Sequence, residues 1–194
     1  MAGAYQVSTN AYYQSPALLA KIISGLNFWY LTAPTSDNWW YRDIGKQMFL
    51  GPICILLRAE LSQSLIDKII VDLHAPNPGF GATGANLVWH CEKYIWAGAI
   101  KGLDSDVIAG KNGMVSTMVM ADGANEGIKR DWSFWQHGTM LATLSYGLSM
   151  FQDLSYWANR FNGLSYAFSS QNVDLLSSYA LEGVQWSVRN GYGD

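Results

Sequence analysis

Three segments of the chain set aromatic rings beside side chains that donate, accept or move protons. They are Asn38-Trp39-Trp40-Tyr41-Arg42-Asp43-Ile44-Gly45, then Phe80-Gly81-Ala82-Thr83-Gly84-Ala85-Asn86, then Asp131-Trp132-Ser133-Phe134-Trp135-Gln136-His137 followed by Tyr146-Gly147. Imidazole (ordinary pKa about 6.5) and phenol (about 10) are proton-transfer groups. A neutral amide such as that of Asn86 donates hydrogen bonds without ionising. Indole and phenyl rings offer flat apolar area at low rotamer cost. Each segment alone also reads as architecture. A Trp pair at a helix start is more often core than ligand platform, an Asn behind a glycine-rich loop more often a cap, and a His among aromatics by default a satisfied, partly buried one.

Other chemistries find less support. His74, His90 and His137 fall on separate segments without zinc-ligand spacing, so neither a metal nor another cofactor is expected. His90 follows Asn86 by one helical turn and can share its helix face. Glu92 and Asp131 are the carboxylates a two-acid glycosidase would use, and nothing in the sequence sets their separation. Cys54 and Cys91 lie in apolar helical patterns and read as buried free thiols.

The elements that must position these residues are mostly helices. Ser15-Pro16 opens one that carries Leu18, Leu19, Ile22, Ile23 and Leu26; a loop follows at Thr32 to Asp37, then a helix from about Trp40 to Ala59. Another helix starts at Leu61-Ser62-Gln63-Ser64 and holds Leu65, Ile66, Ile69, Ile70 and Leu73. Ala75 to Gly84 is the strongest loop, and helical patterns cover Ala85 to about Ile100 and Asp104 to about Met120. Ala121 to Ser133 is a polar loop, and His137 to Phe151 is ambiguous. Asp174 to Arg189 reads as an amphipathic helix with Leu175, Leu176, Tyr179, Leu181, Val184 and Trp186 inward, and Trp96, Trp157 and Trp186 read as packing. The expected fold is all-α, about seven helices paired as antiparallel hairpins, with the long loops gathering the polar and aromatic side chains at one end.

Composition limits the class. At 194 residues the chain suits one domain over 1–194, or one large piece of a bigger one, and 49% hydrophobic content excludes a disordered chain. Charged residues make up 14%, against roughly 25% in an average soluble domain, while 9 Trp and 11 Tyr suit a protein that presents rings to a ligand. A net charge of −3 with 12 scattered Lys and Arg argues against a nucleic-acid surface but not against a few cationic contacts to an acidic polymer. Arg58, Lys68 and Asp72 break the longest apolar stretch before it could span a membrane, and Met1-Ala2-Gly3-Ala4-Tyr5 lacks the form of a signal peptide.

Taken together and in order, the three segments resemble polysaccharide lyase family eight, the hyaluronate, chondroitin AC and xanthan lyases. That family carries Asn-Trp-Trp-x-x-Glu-Ile-Gly, Thr-Gly-Ala-Asn, and Asp-x-Ser-Phe-x-x-His with a Tyr-Gly nine residues beyond the His. Here Asn38-Trp39-Trp40 leads to Asp43-Ile44-Gly45, with Asp in place of Glu; Thr83-Gly84-Ala85-Asn86 matches; and His137 precedes Tyr146 by nine residues.

The resemblance implies an incomplete toroid of helical hairpins and β-elimination of an acidic, uronate-containing polysaccharide to a 4,5-unsaturated product. It implies that Asn86 contacts the uronate carboxylate, that His137 and Tyr146 transfer the proton, and that Trp39, Trp40 and Phe80, with Asn38, line the cleft. It further implies a monomer, secreted or periplasmic, without nucleic-acid or membrane partners and without a metal. Family members are several times longer, continuing into arginines beside the catalytic tyrosine and into β-sheet domains. Neither lies in these 194 residues. The expectation is therefore either a piece of a lyase in which Arg42 or Arg130 would have to favour a Tyr146 phenolate, or a catalytically impaired, carbohydrate-binding helical homologue.

Overall fold

The computed structural model describes residues 1–74 and 81–188. Their contacts fall into two compact units, residues 1–74 with 93–107, and residues 81–92 with 108–188.

The first unit is built from helices α1 (Ala2–Gln6), α2 (Pro16–Thr32), α3 (Lys46–Leu56), α4 (Gln63–His74) and the later turns of α5 (Gly84–Lys101). Ser15 caps α2 as its sequence suggests: its hydroxyl accepts from the Leu18 N–H at 3.3 Å, with Pro16 at the first helical position. Leu65, Ile66, Ile69 and Leu73 bury one face of α4 against Ile22 and Leu26 of α2, Leu50 and Cys54 of α3, and Ala97 and Ile100 of α5. Each fully buried Leu or Ile stabilises by about 1.5–3 kcal/mol.

The helix expected from Trp40 to Ala59 is interrupted. Residues Tyr41–Gly45 wind as a π-helical turn, and α3 begins only at Lys46. Two polar anchors hold this junction. Lys93, buried on α5, donates to the Asp43 carbonyl oxygen at 2.7 Å, and burial pushes its ammonium down to about 8. Lys46 and Tyr30 both donate to the Asp72 carboxylate, at 2.7 and 2.9 Å. Further along α3, a Cβ on Gly51 would sit 2.6 Å from the Trp96 indole, so glycine there lets Trp96 pack directly on the helix backbone.

The second unit holds the first turns of α5, most of α6 (Asp104–Thr117), α7 (Leu148–Phe161), α8 (Ser170–Ser178) and the short α9 (Gln185–Ser187). It departs from the all-α expectation. Gly127–Ile128 (β1), Phe134–Gln136 (β2) and Met140–Leu141 (β3) form a three-stranded antiparallel sheet in the order β1-β2-β3, pairing Ile128 with Phe134 and Gln136 with Met140. Strands of two or three residues are too short to show an alternating pattern. Met150, Leu154, Trp157 and Phe161 recur at helical spacing and bury one face of α7.

The C-terminal helix is also corrected. It starts earlier, at Ser170, where Ser169 accepts from the Asn172 N–H at 3.2 Å, and passes into a π-helical turn at Tyr179–Val184. Arg189, its expected end, lies outside the described residues. Leu176 and Tyr179 point inward as expected, but Leu181 is exposed and Trp186 is 76% exposed rather than packed. The wider turn rotates Gly183 inward instead, where a side chain would collide with the Trp132 carbonyl oxygen.

Both cysteines are buried and free, and burial pushes the Cys54 and Cys91 thiols up to about 11 and 12. Glu92 is buried in the second unit, where its carboxylate accepts from the Trp157 indole N–H at 2.7 Å. Burial first and the nearby Asp153 second push its carboxyl up to about 8, against the opposing pull of Trp157.

Two measurements test these packing arguments. Gly51→Ala should lower unfolding stability by about 1–3 kcal/mol through overpacking against Trp96. An unchanged denaturation midpoint would show that the indole yields freely. The Glu92 shift carries a defined sign: the folded chain keeps a proton that the unfolded chain releases above its ordinary carboxyl pKa of about 4.3. Stability should therefore fall as pH rises from there to about 8 and level off beyond. Glu92→Gln, which retains an oxygen for Trp157, should show a shallower fall over that window; parallel pH curves would refute the assignment.

Candidate active site

The short strand β2 is approached closely from two directions. Gly84, at φ +53°, opens α5 where a side chain would collide with Gln136 and lie 3.1 Å from the Phe134 ring. Gly147 closes a π-helical turn (Thr143–Gly147) where a side chain would collide with the Tyr179 hydroxyl and lie 2.7 Å from Phe134. Hydrogen bonds fix both approaches. The Ala85 N–H donates to the Gln136 amide oxygen at 3.3 Å, the Phe134 N–H to the buried Thr143 hydroxyl at 3.1 Å, and the Ala142 N–H to the Phe134 carbonyl at 2.8 Å. The Tyr179 hydroxyl donates to the Thr143 carbonyl at 3.3 Å.

These contacts place three expected site residues. Asn86 stands two residues after Gly84, His137 directly follows β2, and Tyr146 directly precedes Gly147. His137 and Tyr146 meet: Nε2 lies 3.0 Å from the Tyr146 Oη, with ring centroids 4.9 Å apart and planes perpendicular. His137 is exposed, so its proton exchanges with solvent, unlike the partly buried His the aromatic surround suggests. Its backbone is left-handed at φ +54°, in a three-residue turn between β2 and β3. That conformation costs a non-glycine residue on the order of 1 kcal/mol. Among the described residues the Tyr146 hydroxyl hydrogen-bonds His137 alone.

Asn86 is not a cap. It is the third residue of α5, buried, and its Oδ1 has no hydrogen-bond partner among the described residues. A buried acceptor left in this state costs about 1–3 kcal/mol.

Sequence reasoning overlooked two supports behind Tyr146. The Trp89 indole lies 6.0 Å from the Tyr146 ring and is held by its own N–H, which donates to Asp153 at 2.8 Å. Burial pushes the Asp153 carboxyl up. The spacing carried a signal: Trp89 is three residues beyond Asn86 and so on the same helix face.

The other expected residues have other settings. Asn38, Trp39 and Trp40 belong to the first unit. There Asn38 Oδ1 accepts from the Trp40 N–H at 2.9 Å, Trp40 packs edge-on to Tyr41 and against Gly45, and Trp39 remains 46% exposed. Phe80 lies outside the described residues. Arg42 forms a two-pronged pair with Asp43 at 2.8 and 3.0 Å, and Arg130 pairs with Asp122 at 3.2 Å on the surface. His90 is buried within α5. Glu92 is committed to Trp157, and exposed Asp131 to the N–H and hydroxyl of Ser133, at 3.0 and 2.7 Å. Among the described residues no three His, Cys, Asp or Glu side chains converge as metal ligands would, and no helix is long and apolar enough to cross a membrane.

Comparison with known proteins identifies the family and the fold. The sequence model of the polysaccharide lyase family 8 N-terminal alpha-helical domain matches residues 1–192. Chondroitinase-AC of Pedobacter heparinus is 26% identical over 194 residues, covering 98% of this chain and 27% of that protein. Hyaluronate lyase of Thermasporomyces composti is 37% identical over 123 residues, 61% of this chain and 15% of that one. The solved structure of Streptomyces coelicolor A3 chondroitin AC lyase with chondroitin sulphate shares the fold, with a TM-score of 0.90 at 22% identity over 100% of this chain and 28% of that chain. The chain thus spans less than a third of the length of these relatives. With that family model matched over residues 1–192, the chain belongs to polysaccharide lyase family 8.

Proposed function

We propose that the chain carries the proton-transfer groups of a lyase that cleaves an acidic, uronate-containing polysaccharide of the chondroitin, hyaluronan or xanthan kind by β-elimination. The observation that carries this reading is the 3.0 Å bond between His137 Nε2 and Tyr146 Oη. The C5 proton of a uronate is hardly acidic, because its removal sets a second negative charge beside the carboxylate. The neutral Asn86 side chain can donate through its Nδ2 N–H groups to the carboxylate oxygens and stabilise the charge that develops there.

Tyr146 must ionise to act as base, and a proton on the neighbouring His137 ring would supply the positive charge that favours the phenolate. The phenolate takes the C5 proton, the C5 electron pair forms the C4–C5 double bond, and the C4–O bond breaks. The phenol then returns its proton to the leaving oxygen. Asn38, Trp39, Trp40 and Phe80 serve as the sugar-binding residues. The helices form part of an incomplete toroid, and the protein works as a monomer outside the cytoplasm, where polymeric substrates are found.

A second reading, binding without turnover, is favoured by one observation. The first unit has a cavity of about 420 Å³ lined by Trp29, Tyr30, Tyr41, Arg42, Lys46 and Asp72, a mixture of rings and paired charges that suits a sugar.

Incubation with hyaluronan, chondroitin or xanthan separates the two. Elimination should raise ultraviolet absorbance as the conjugated double bond forms, and Tyr146→Phe should slow that rise by about 10²–10⁴-fold. Binding that is lost in Trp29→Ala with Tyr41→Ala, with no absorbance gain on any polymer, would establish the second reading.

A further inference from the structure

We infer that Glu126 is the positioning residue that sets the His137 turn and ties it to the start of the Asn86 helix. Glu126 stands immediately before β1, in a polar loop that the proposed chemistry does not use. One carboxylate oxygen, Oε1, accepts from the Gly138 N–H at 2.8 Å. The other, Oε2, accepts from the Thr83 hydroxyl and from the Gln136 side-chain amide N–H. The remaining amide atom of Gln136, its oxygen, accepts from the Ala85 N–H at 3.3 Å.

Gln136 and Gly138 are the two neighbours of His137, and Thr83 and Ala85 bracket the start of α5 just ahead of Asn86. One carboxylate therefore gathers donors from both sides of the imidazole and from the segment that carries the amide. The chemistry of the group matters. An ionised carboxylate is acceptor-only, so its two oxygens can take all three donors, and bonds to a charged acceptor are stronger than neutral ones. A neutral amide at this position would turn one N–H₂ toward a donor.

His137 needs such a restraint because its backbone is left-handed, at φ +54°, beside Gly138 at φ +80°. A non-glycine residue persists there only when its surroundings over-determine it. Glu126 supplies an anchor to each side of the strained residue without touching the imidazole. The consequence for rate rests on the lyase reading; the positioning does not.

The test uses the whole chain and the three histidines, whose imidazole C–H signals can be followed by NMR across pH. Glu126→Ala should displace the His137 signal and its titration midpoint and abolish the ring-to-ring nuclear Overhauser effect with Tyr146, leaving His74 and His90 unmoved. An unmoved His137 signal with that effect intact overturns the proposal. Should Glu126→Ala move all three histidines, Glu126→Gln decides, since it keeps an acceptor for Gly138: a displacement confined to His137 supports the proposal, while none, or one shared by all three, overturns it. If the protein eliminates uronate, the variant with displaced His137 should lose about 10- to 100-fold in kcat with KM little changed. Displacement of His137 in a protein without turnover counts against the lyase reading and leaves the positioning role standing.

Discussion

The second unit depends on the close approach of two backbone segments to strand β2. Phe134, fully buried, lies against both Gly84 and Gly147, and neither position has room for a Cβ. Each glycine is a near neighbour of a proposed site residue: Asn86 follows the first by two positions, and Tyr146 precedes the second by one. His137 continues the strand itself. The motif glycines thus have a steric explanation, since the backbone must come within van der Waals reach of one strand for the amide, imidazole and phenol to share a unit. Tight packing turns small sequence requirements into a fixed geometry.

Polar groups around that contact are arranged so that few degrees of freedom remain. Thr143, buried, accepts from the Phe134 N–H through its hydroxyl and from the Tyr179 hydroxyl through its carbonyl, binding the π-helical turn to both β2 and the C-terminal segment. Behind Tyr146, Trp89 is held by Asp153, and one turn further along α5 Glu92 receives the Trp157 indole N–H. Glu92 is buried and Asp153 partly so, which disfavours their charged forms and pushes both carboxyls up. Their bonds to the indole N–H groups of Trp89 and Trp157 fix an aromatic wall, whereas His137 is exposed to solvent.

The three π-helical turns share a role. The turn at Tyr41–Gly45 places Trp40 over Gly45, the turn at Thr143–Gly147 carries Tyr146, and the turn at Tyr179–Val184 rotates Gly183 against Trp132. An extra residue in a turn re-aims the side chains that follow, and in two of the three cases it does so within a motif segment. The same extra residue shifted the inward face of the C-terminal helix away from Leu181 and Trp186.

Much was legible in the residues themselves. The family motifs, their order and the nine-residue step from His137 to Tyr146 are properties of the chain, as are the Ser15 cap, the buried face of α4 and the burial of both cysteines, because capping and helical periodicity are local and repeat over many residues. What only the tertiary structure decided was the three-stranded sheet, the left-handed backbone of His137, the unpaired Oδ1 of Asn86, and the partners Trp89, Asp153 and Glu126. None of these leaves a periodic trace. Strands of two or three residues show no alternation, a π-helical turn looks like the helix it interrupts, and a carboxylate that gathers donors from positions 83, 136 and 138 depends on distances that appear only once the backbone has folded.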